Sequence, residues 1–160
     1  MQRATQPAPR PRVLVVDDEP DVCELMCRIL ADVGYDVDTA DDGAPALEKL
    51  EAGRYDLMIL DLMMPVVEGW AVLEHLRNEP LAPPVLVLTC RGDHESLARG
   101  LRERVAAYVI KPFEIPLLLE ACRHVVAEAS RAALPSERRQ QARAAARQGG
   151  LVARSAARGY

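Results

Sequence analysis

The chain has 160 residues, 49% of them apolar and 28% charged, which suits one domain with a core of ordinary size. Its formal net charge of −4 hides an asymmetry, because residues 13–130 set ten Lys and Arg against 23 Asp and Glu, whereas residues 131–160 set seven Arg against one Glu. No apolar run approaches the length of a membrane span, the first residues lack the apolar core of a signal peptide, and the four cysteines show neither disulfide nor zinc spacing. Composition therefore argues against a membrane protein, a secreted disulfide scaffold and a zinc module, and points to the cytoplasm.

Residues 1–11 hold Pro7, Pro9 and Pro11 and predict a stiff, extended leader. Val13-Leu14-Val15-Val16 is a first strand, ending in Asp17-Asp18. Glu19-Pro20 is a helix entry, since proline suits the first turn. Val22, Leu25, Met26, Ile29, Leu30 and Val33 then recur at helical spacing until Gly34 stops the helix. Val37 and its neighbours form a short second strand, and Ala44 to Glu51 a second helix ended by Gly53. Leu57 to Leu60 is apolar at every position, as a central parallel strand covered on both faces must be, and it ends at Asp61.

A helix is predicted near 66–78. The fourth strand, Val85 to Leu88, ends at Thr89, and a further helix follows near 93–103. Ala106 to Ile110 is the fifth strand, ending at Lys111-Pro112, and a last helix is predicted near 114–128. Strands alternating with helices argue for βαβ units and a parallel sheet. Beyond Ala129 the apolar stripe disappears. Pro135-Ser136-Glu137 is a break followed by an N-cap, Gly149-Gly150 is a stop, and the Ala- and Arg-rich sequence between them buries too little to be an output domain. The expected organisation is a leader at 1–11, one domain at 12–128 and a basic tail, helical or disordered, at 129–160.

In an open parallel sheet the carboxyl ends of the strands share one edge, where ligands bind. Four apolar runs thus deliver three carboxylates (Asp17, Asp18, Asp61), one hydroxyl (Thr89) and one ammonium (Lys111) to one place. The bland reading is that the acids cap helices, the commonest task of an Asp after a strand. Caps leave Lys111-Pro112 after the last strand unexplained. Cys23 and Cys27, one helical turn apart without metal partners in the sequence, read as small buried hydrophobes. His75, His94 and His124 do not cluster and read as surface or half-buried residues.

Asp17-Asp18-Glu19, Asp61 with Pro65 and Gly69 after it, Thr89, Tyr108 and Lys111-Pro112-Phe113, in that order, resemble the receiver domain of two-component response regulators over roughly residues 12–128. The resemblance implies a flavodoxin-like, doubly wound five-stranded parallel sheet of order 2-1-3-4-5 with five helices. It implies a signalling switch, not a turnover enzyme, in which Asp61 accepts a phosphoryl group from a sensor histidine kinase or a phosphotransfer protein and signals to a downstream protein. Mg²⁺ (or Mn²⁺) would be held by Asp18 and Asp61 directly, by Asp17 mostly through a water, and by the Met63 main-chain carbonyl. Lys111 and Thr89 would meet phosphoryl oxygens, Thr89 and Tyr108 would form the switch pair, and the Lys111–Pro112 peptide would be cis.

The sequence also departs from the family pattern. Arg104-Val105-Ala106-Ala107 replaces the usual Gly- and acid-containing segment before Tyr108, which weakens the expectation of the common dimer. Met63 and Arg91 stand two residues after Asp61 and Thr89, and Cys90 follows Thr89 where a smaller residue is commoner. An enzyme of the haloacid-dehalogenase-like class would need a second acid at the Met63 position. A pseudo-receiver that binds partners without phosphate would not need all five active residues. The Arg-rich tail leaves a nucleic-acid contact open, although it lacks aromatics before Tyr160.

Overall fold

The computed structural model describes residues 9–64, 69–90 and 105–133. In chain order the elements are β1 (Arg12–Val16), α1 (Pro20–Asp32), β2 (Asp36–Ala40), α2 (Gly43–Ala52), β3 (Leu57–Asp61), α3 (Gly69–Leu76), β4 (Val85–Cys90), β5 (Ala107–Lys111) and α4 (Ile115–Ala133). The helix expected near 93–103, with Pro65, Arg91, His94 and Arg104, lies outside the described residues. All strand pairs are parallel, and the sheet order is β2-β1-β3-β4-β5, the 2-1-3-4-5 order expected.

Alternation along the strands builds two cores. Leu14, Val16, Met58, Leu60 and Val87 face Ala46 of α2 and Val72, Leu73 and Leu76 of α3. Val13, Val15, Leu57, Ile59, Leu86 and Leu88 face Met26 and Leu30 of α1 and Leu118, Cys122 and Val125 of α4. Successive side chains of a strand point to opposite faces, so continuous apolar runs require helices on both sides. Each fully buried aliphatic side chain contributes about 1.5–3 kcal/mol, and β3 is buried at every position.

The apolar stripe of α1 is narrower than its spacing suggests. Met26 and Leu30 are fully buried and Val22 and Ile29 pack half-buried, but Leu25 and Val33 are exposed. A helix lying on a sheet buries an arc of roughly 100°; Leu25 falls on the flank of that arc, and Val33 is the C-cap residue, beyond the last turn of the helix. Gly34 ends α1 as expected, at φ 95°, and its N–H donates to the Ala31 carbonyl while that of Tyr35 reaches Leu30. Cys122 is a buried core residue, whereas Cys23 and Cys27 are only half-buried.

The chain divides into two compact units, residues 1–126 and 127–160. Of the second, residues 127–133 are described, and they continue α4 past its expected end at 128. Ala-rich sequence favours helix, and Arg131 pairs with Glu128 at 2.6 Å and donates to the Ala127 carbonyl. No helix among the described residues is long and apolar enough to cross a membrane.

At the amino edge of the sheet Arg12 ties three segments together. Its main-chain N–H donates to Asp56, and its guanidinium reaches Asp38 at 2.7 Å and lies 4.7 Å from the Tyr55 ring centroid. The Tyr55 hydroxyl donates to the same Asp38 oxygen at 2.8 Å. Burial and the Asp38 carboxylate push the Tyr55 pKa up to about 12.

Candidate functional site at the carboxyl edge of the sheet

Because β1, β3, β4 and β5 are parallel and β3 lies between β1 and β4, their last residues converge. Among the described residues, the buried polar ones are Asp17, Asp61 and Thr89. Each directly follows or closes an apolar run. Burial is imposed by the strands, and polarity has to be satisfied locally.

Lys111, from the end of β5, meets this demand. Its Nζ lies 2.9 Å from Asp61 Oδ2 and 3.1 Å from Asp17 Oδ2, with Glu19 farther off at 4.0 Å. The other oxygen of each aspartate accepts a main-chain N–H two residues on: Glu19 to Asp17 Oδ1 and Met63 to Asp61 Oδ1, both at 2.9 Å. The helix cap of α1 is Glu19, which makes no side-chain cap bond, so Asp17 and Asp18 do not serve as its N-cap residue. The Lys111–Pro112 peptide is cis, as the resemblance implied.

Burial pushes the Asp17 carboxyl pKa up, against the Glu19 N–H and the Lys111 ammonium that favour its charged form. Burial alone would depress Lys111, but its hydrogen bonds to Asp61 and Asp17 carry it above the ordinary lysine value. The two directions have different leading causes, desolvation for Asp17 and the paired carboxylates for Lys111.

One oxygen from each of Asp17, Asp18 and Asp61 can be chosen so that all three lie within 4.8 Å of one another. This all-oxygen, all-carboxylate donor set suits a hard divalent cation such as Mg²⁺, which needs only one or two protein carboxylates beside its waters and a phosphate. The Thr89 hydroxyl is buried and has no hydrogen-bond partner among the described residues. Buried hydroxyls are rarely left so, and a phosphoryl oxygen is the kind of acceptor this one lacks.

The sequence-predicted residues thus fall into three sets. Asp17, Asp18, Asp61, Thr89 and Lys111 meet at one edge. Met63 contributes its N–H, while its side chain is 62% exposed. Tyr108 sits one strand over, half-buried on β5 opposite Val87 of β4, and packs on the α2–α3 side of the sheet. Sequence reasoning missed Cys23, whose thiol donates to the Asp17 main-chain carbonyl at 3.3 Å. Its place in the first turn of α1, just after the acidic pair, was the available signal.

The chain matches the family model for the response regulator receiver domain over residues 13–123. It is 38% identical over 112 residues to the transcriptional regulatory protein TcrA of Mycobacterium tuberculosis, covering 70% of this chain and 44% of that protein. It is 40% identical over 112 residues to the transcriptional regulatory protein DltR of Streptococcus agalactiae, covering 70% and 50%. The chain therefore spans about half the length of these curated relatives. Among solved structures, the chemotaxis response regulator CheY4 of Vibrio cholerae matches with TM-score 0.68 and 32% identity, over 73% of this chain and 99% of that one. A CheY-like receiver domain protein from Methanospirillum hungatei matches with TM-score 0.74 and 26% identity, over 78% and 100%.

Proposed function

Because the chain belongs to the response regulator receiver family, we propose that Asp61 accepts a phosphoryl group from the phosphohistidine of a cytoplasmic sensor histidine kinase or phosphotransfer protein. The observation that carries this reading is the arrangement around Asp61: a buried carboxylate bridged by Lys111 to Asp17, at the strand edge that also holds a buried Thr89 hydroxyl without a partner among the described residues.

The step is an in-line displacement. An Asp61 carboxylate oxygen forms a bond to phosphorus, the phosphorus–nitrogen bond of the phosphohistidine breaks, and the imidazole leaves with the electron pair and takes up a proton. The product is an acyl phosphate. Such transfers depend on positioning and charge neutralisation more than on covalent chemistry from the protein. Asp17, Asp18 and Asp61 would hold Mg²⁺ or Mn²⁺, with the Met63 carbonyl as a further ligand. A cation bound there supplies charge neutralisation for the phosphoryl oxygens and a template for in-line geometry.

The chain's own groups do the remainder. The Met63 N–H donates to one Asp61 oxygen and Lys111 Nζ to the other, which orients the carboxylate. Lys111, a compact and mobile cation, re-pairs with a phosphoryl oxygen as the acid beneath it is consumed. Thr89 donates its hydroxyl to another. Its movement vacates space on the Tyr108 side of the sheet, and the ring turns inward to fill it. That repacking is a small two-state element biased by new charge, and it alters the surface offered to a downstream protein.

Incubation with acetyl phosphate and Mg²⁺, read by intact mass, tests the reading. One phosphoryl group should add to the wild type. None should add to Asp61→Asn or in EDTA. Modification of Asp61→Asn at wild-type yield would sink the assignment.

A further inference from the structure

We propose that Gly69 is a positioning residue for the phosphoacceptor: its missing Cβ seats the start of α3 directly on the main chain of Asp61 and Leu62 and so fixes where the Asp61 carboxylate stands. The inference rests on the phosphoacceptor reading of Asp61.

A Cβ built on Gly69 would lie 2.5 Å from the Asp61 carbonyl oxygen, 2.8 Å from Leu62 Cα and 3.2 Å from the Asp61 carbonyl carbon. All three are main-chain atoms, so no rotamer change can make room. The shortest of these is roughly 1 Å inside an ordinary contact of about 3.5 Å. Gly53 differs, because its nearest neighbour would be the movable end of the Arg12 side chain, and Gly34 has open space around it. Nor is backbone freedom the reason for glycine here. The positive-φ glycine of the described residues is Gly34, and Gly69 adopts a conformation open to any residue. What excludes a side chain at 69 is the close approach itself.

The segment under Gly69 carries the site. It bears the Asp61 side chain, whose Oδ2 meets Lys111 at 2.9 Å, and it leads to the Met63 N–H that holds Oδ1 at the same distance. Displacing Asp61 and Leu62 by part of an ångström shifts the carboxylate against both donors and against Asp17 and Asp18. Asp61 is nearly buried, and β3 is hydrogen-bonded to β1 and β4 on its two sides. The strand cannot retreat as a whole, so the distortion concentrates at its free end, where the chemistry is. A misplacement of about 1 Å is enough to cost up to roughly a hundredfold in rate.

The test compares Gly69→Ala with Leu73→Ala. Leu73 is buried on the same helix, one turn beyond Gly69, and packs in the apolar core on the α2–α3 side of the sheet. Each variant is melted without metal, then phosphorylated with acetyl phosphate at saturating Mg²⁺, with initial rates taken per folded molecule. The Met63 amide is followed by ¹H–¹⁵N NMR as a report on the segment itself. Leu73→Ala should melt lower than wild type yet keep its rate within about twofold and its Met63 resonance in place. Gly69→Ala should lose about tenfold or more in rate, with a displaced Met63 amide. Equal rates for the two variants would overturn the proposal. So would a Gly69→Ala protein that fails to fold while Leu73→Ala folds, because the glycine would then serve the fold and not the site. If the wild type takes no phosphate, the phosphoacceptor reading fails on its own. The Met63 resonance in Gly69→Ala then still decides whether Gly69 sets the geometry of residues 61–63.

Discussion

Replacing Asp17 by Asn should stabilise the protein in EDTA at neutral pH. The Asp17 side chain is fully buried, 3.1 Å from Lys111, and has an oxygen within 4.8 Å of Asp61 and of Asp18. At an effective dielectric of 20 the attraction to Lys111 is about 5 kcal/mol, and the repulsion from Asp61 about 3.5 kcal/mol. Asp18 is partly exposed, so its repulsion is screened and smaller. The Coulomb contributions nearly cancel, and the desolvation of a buried carboxylate, which costs several kcal/mol, decides the sign.

Asparagine avoids most of that cost and still presents an oxygen to the Glu19 N–H that Asp17 Oδ1 now accepts. A net gain of about 1–2 kcal/mol raises the melting temperature by roughly 4–8 °C. The pH dependence follows from the same cause. Burial raises the folded pKa of Asp17 above its ordinary 3.8. The ionised group therefore costs stability at neutral pH, and the cost is relieved as pH falls through the raised folded value towards the unfolded one. The advantage of Asp17→Asn should shrink with acidification. Thermal melts from pH 7 to pH 4 in EDTA test this. A variant that melts below wild type at pH 7, or whose advantage grows towards acid, would refute the reasoning.

Mg²⁺ should raise the melting temperature of the wild type with increasing concentration, reaching about 2.7 kcal/mol at a hundred times its Kd, and Asp18→Ala should abolish the gain. A flat melting curve up to tens of millimolar Mg²⁺ would contradict a preformed cation site. Tyr55→Phe should cost about 1 kcal/mol through the lost bond to Asp38. Its folded pKa is raised to about 12, so the wild type holds that contribution below pH 10 and loses it as pH rises towards 12, a loss Tyr55→Phe should not show. Superimposable alkaline melts of the two proteins would count against it. If Asp61 accepts the phosphoryl group, the exposed thioether of Met63, two residues on, is a poor group for orienting an attacking water. Met63→Asn should therefore speed dephosphorylation by about five- to thirtyfold, corresponding to 1–2 kcal/mol, and an unchanged decay would show that this side chain sets nothing.

The sheet was legible because its signal is strong and local. Val13–Val16, Leu57–Leu60 and Val85–Leu88 are apolar without interruption, which only a strand covered on both faces tolerates, and all three are buried. The polar ends of those runs located the site for the same reason, since parallel strands bring like ends together. What the sequence did not reveal depends on contact across the fold. Leu25 and Val33 share helical spacing with the core, but Leu25 lies on the flank of the arc that rests on the sheet and Val33 at the C-cap where the helix has ended, and spacing alone gives neither the width nor the end. The extension of α4 to Ala133 depends on alanine propensity and a Glu128–Arg131 pair, with no apolar stripe to announce it. The Cys23 thiol on the Asp17 carbonyl, and the place of Gly69 against Asp61, are distances between segments that no periodicity encodes.

The two imperfections of the site have one remedy. Asp17, Asp18 and Asp61 face a single lysine, and Thr89 buries a hydroxyl that finds no partner among the described residues. A buried unsatisfied group costs about 1–3 kcal/mol, and crowded carboxylates cost more. A sequence selected only for stability would remove both. An asparagine at 17 keeps the turn, and an alanine or valine at 89 leaves the core intact. On the proposed function, a divalent cation would offset the surplus charge and a phosphoryl group would accept the Thr89 hydroxyl, so the cost of the resting state would be recovered only in the loaded one. Driving a two-state equilibrium from 1:99 to 99:1 takes about 5.5 kcal/mol. Satisfying Thr89 supplies about 1–3 kcal/mol of that, and Lys111 only exchanges one anionic partner for another, so relief of the carboxylate crowding must supply the rest. On this reasoning, neither the metal nor a new hydrogen bond alone would throw the switch. The shared dependence on Asp61, which sits within reach of Lys111 and at the end of the strand beside Thr89, makes phosphorylation the event that joins them.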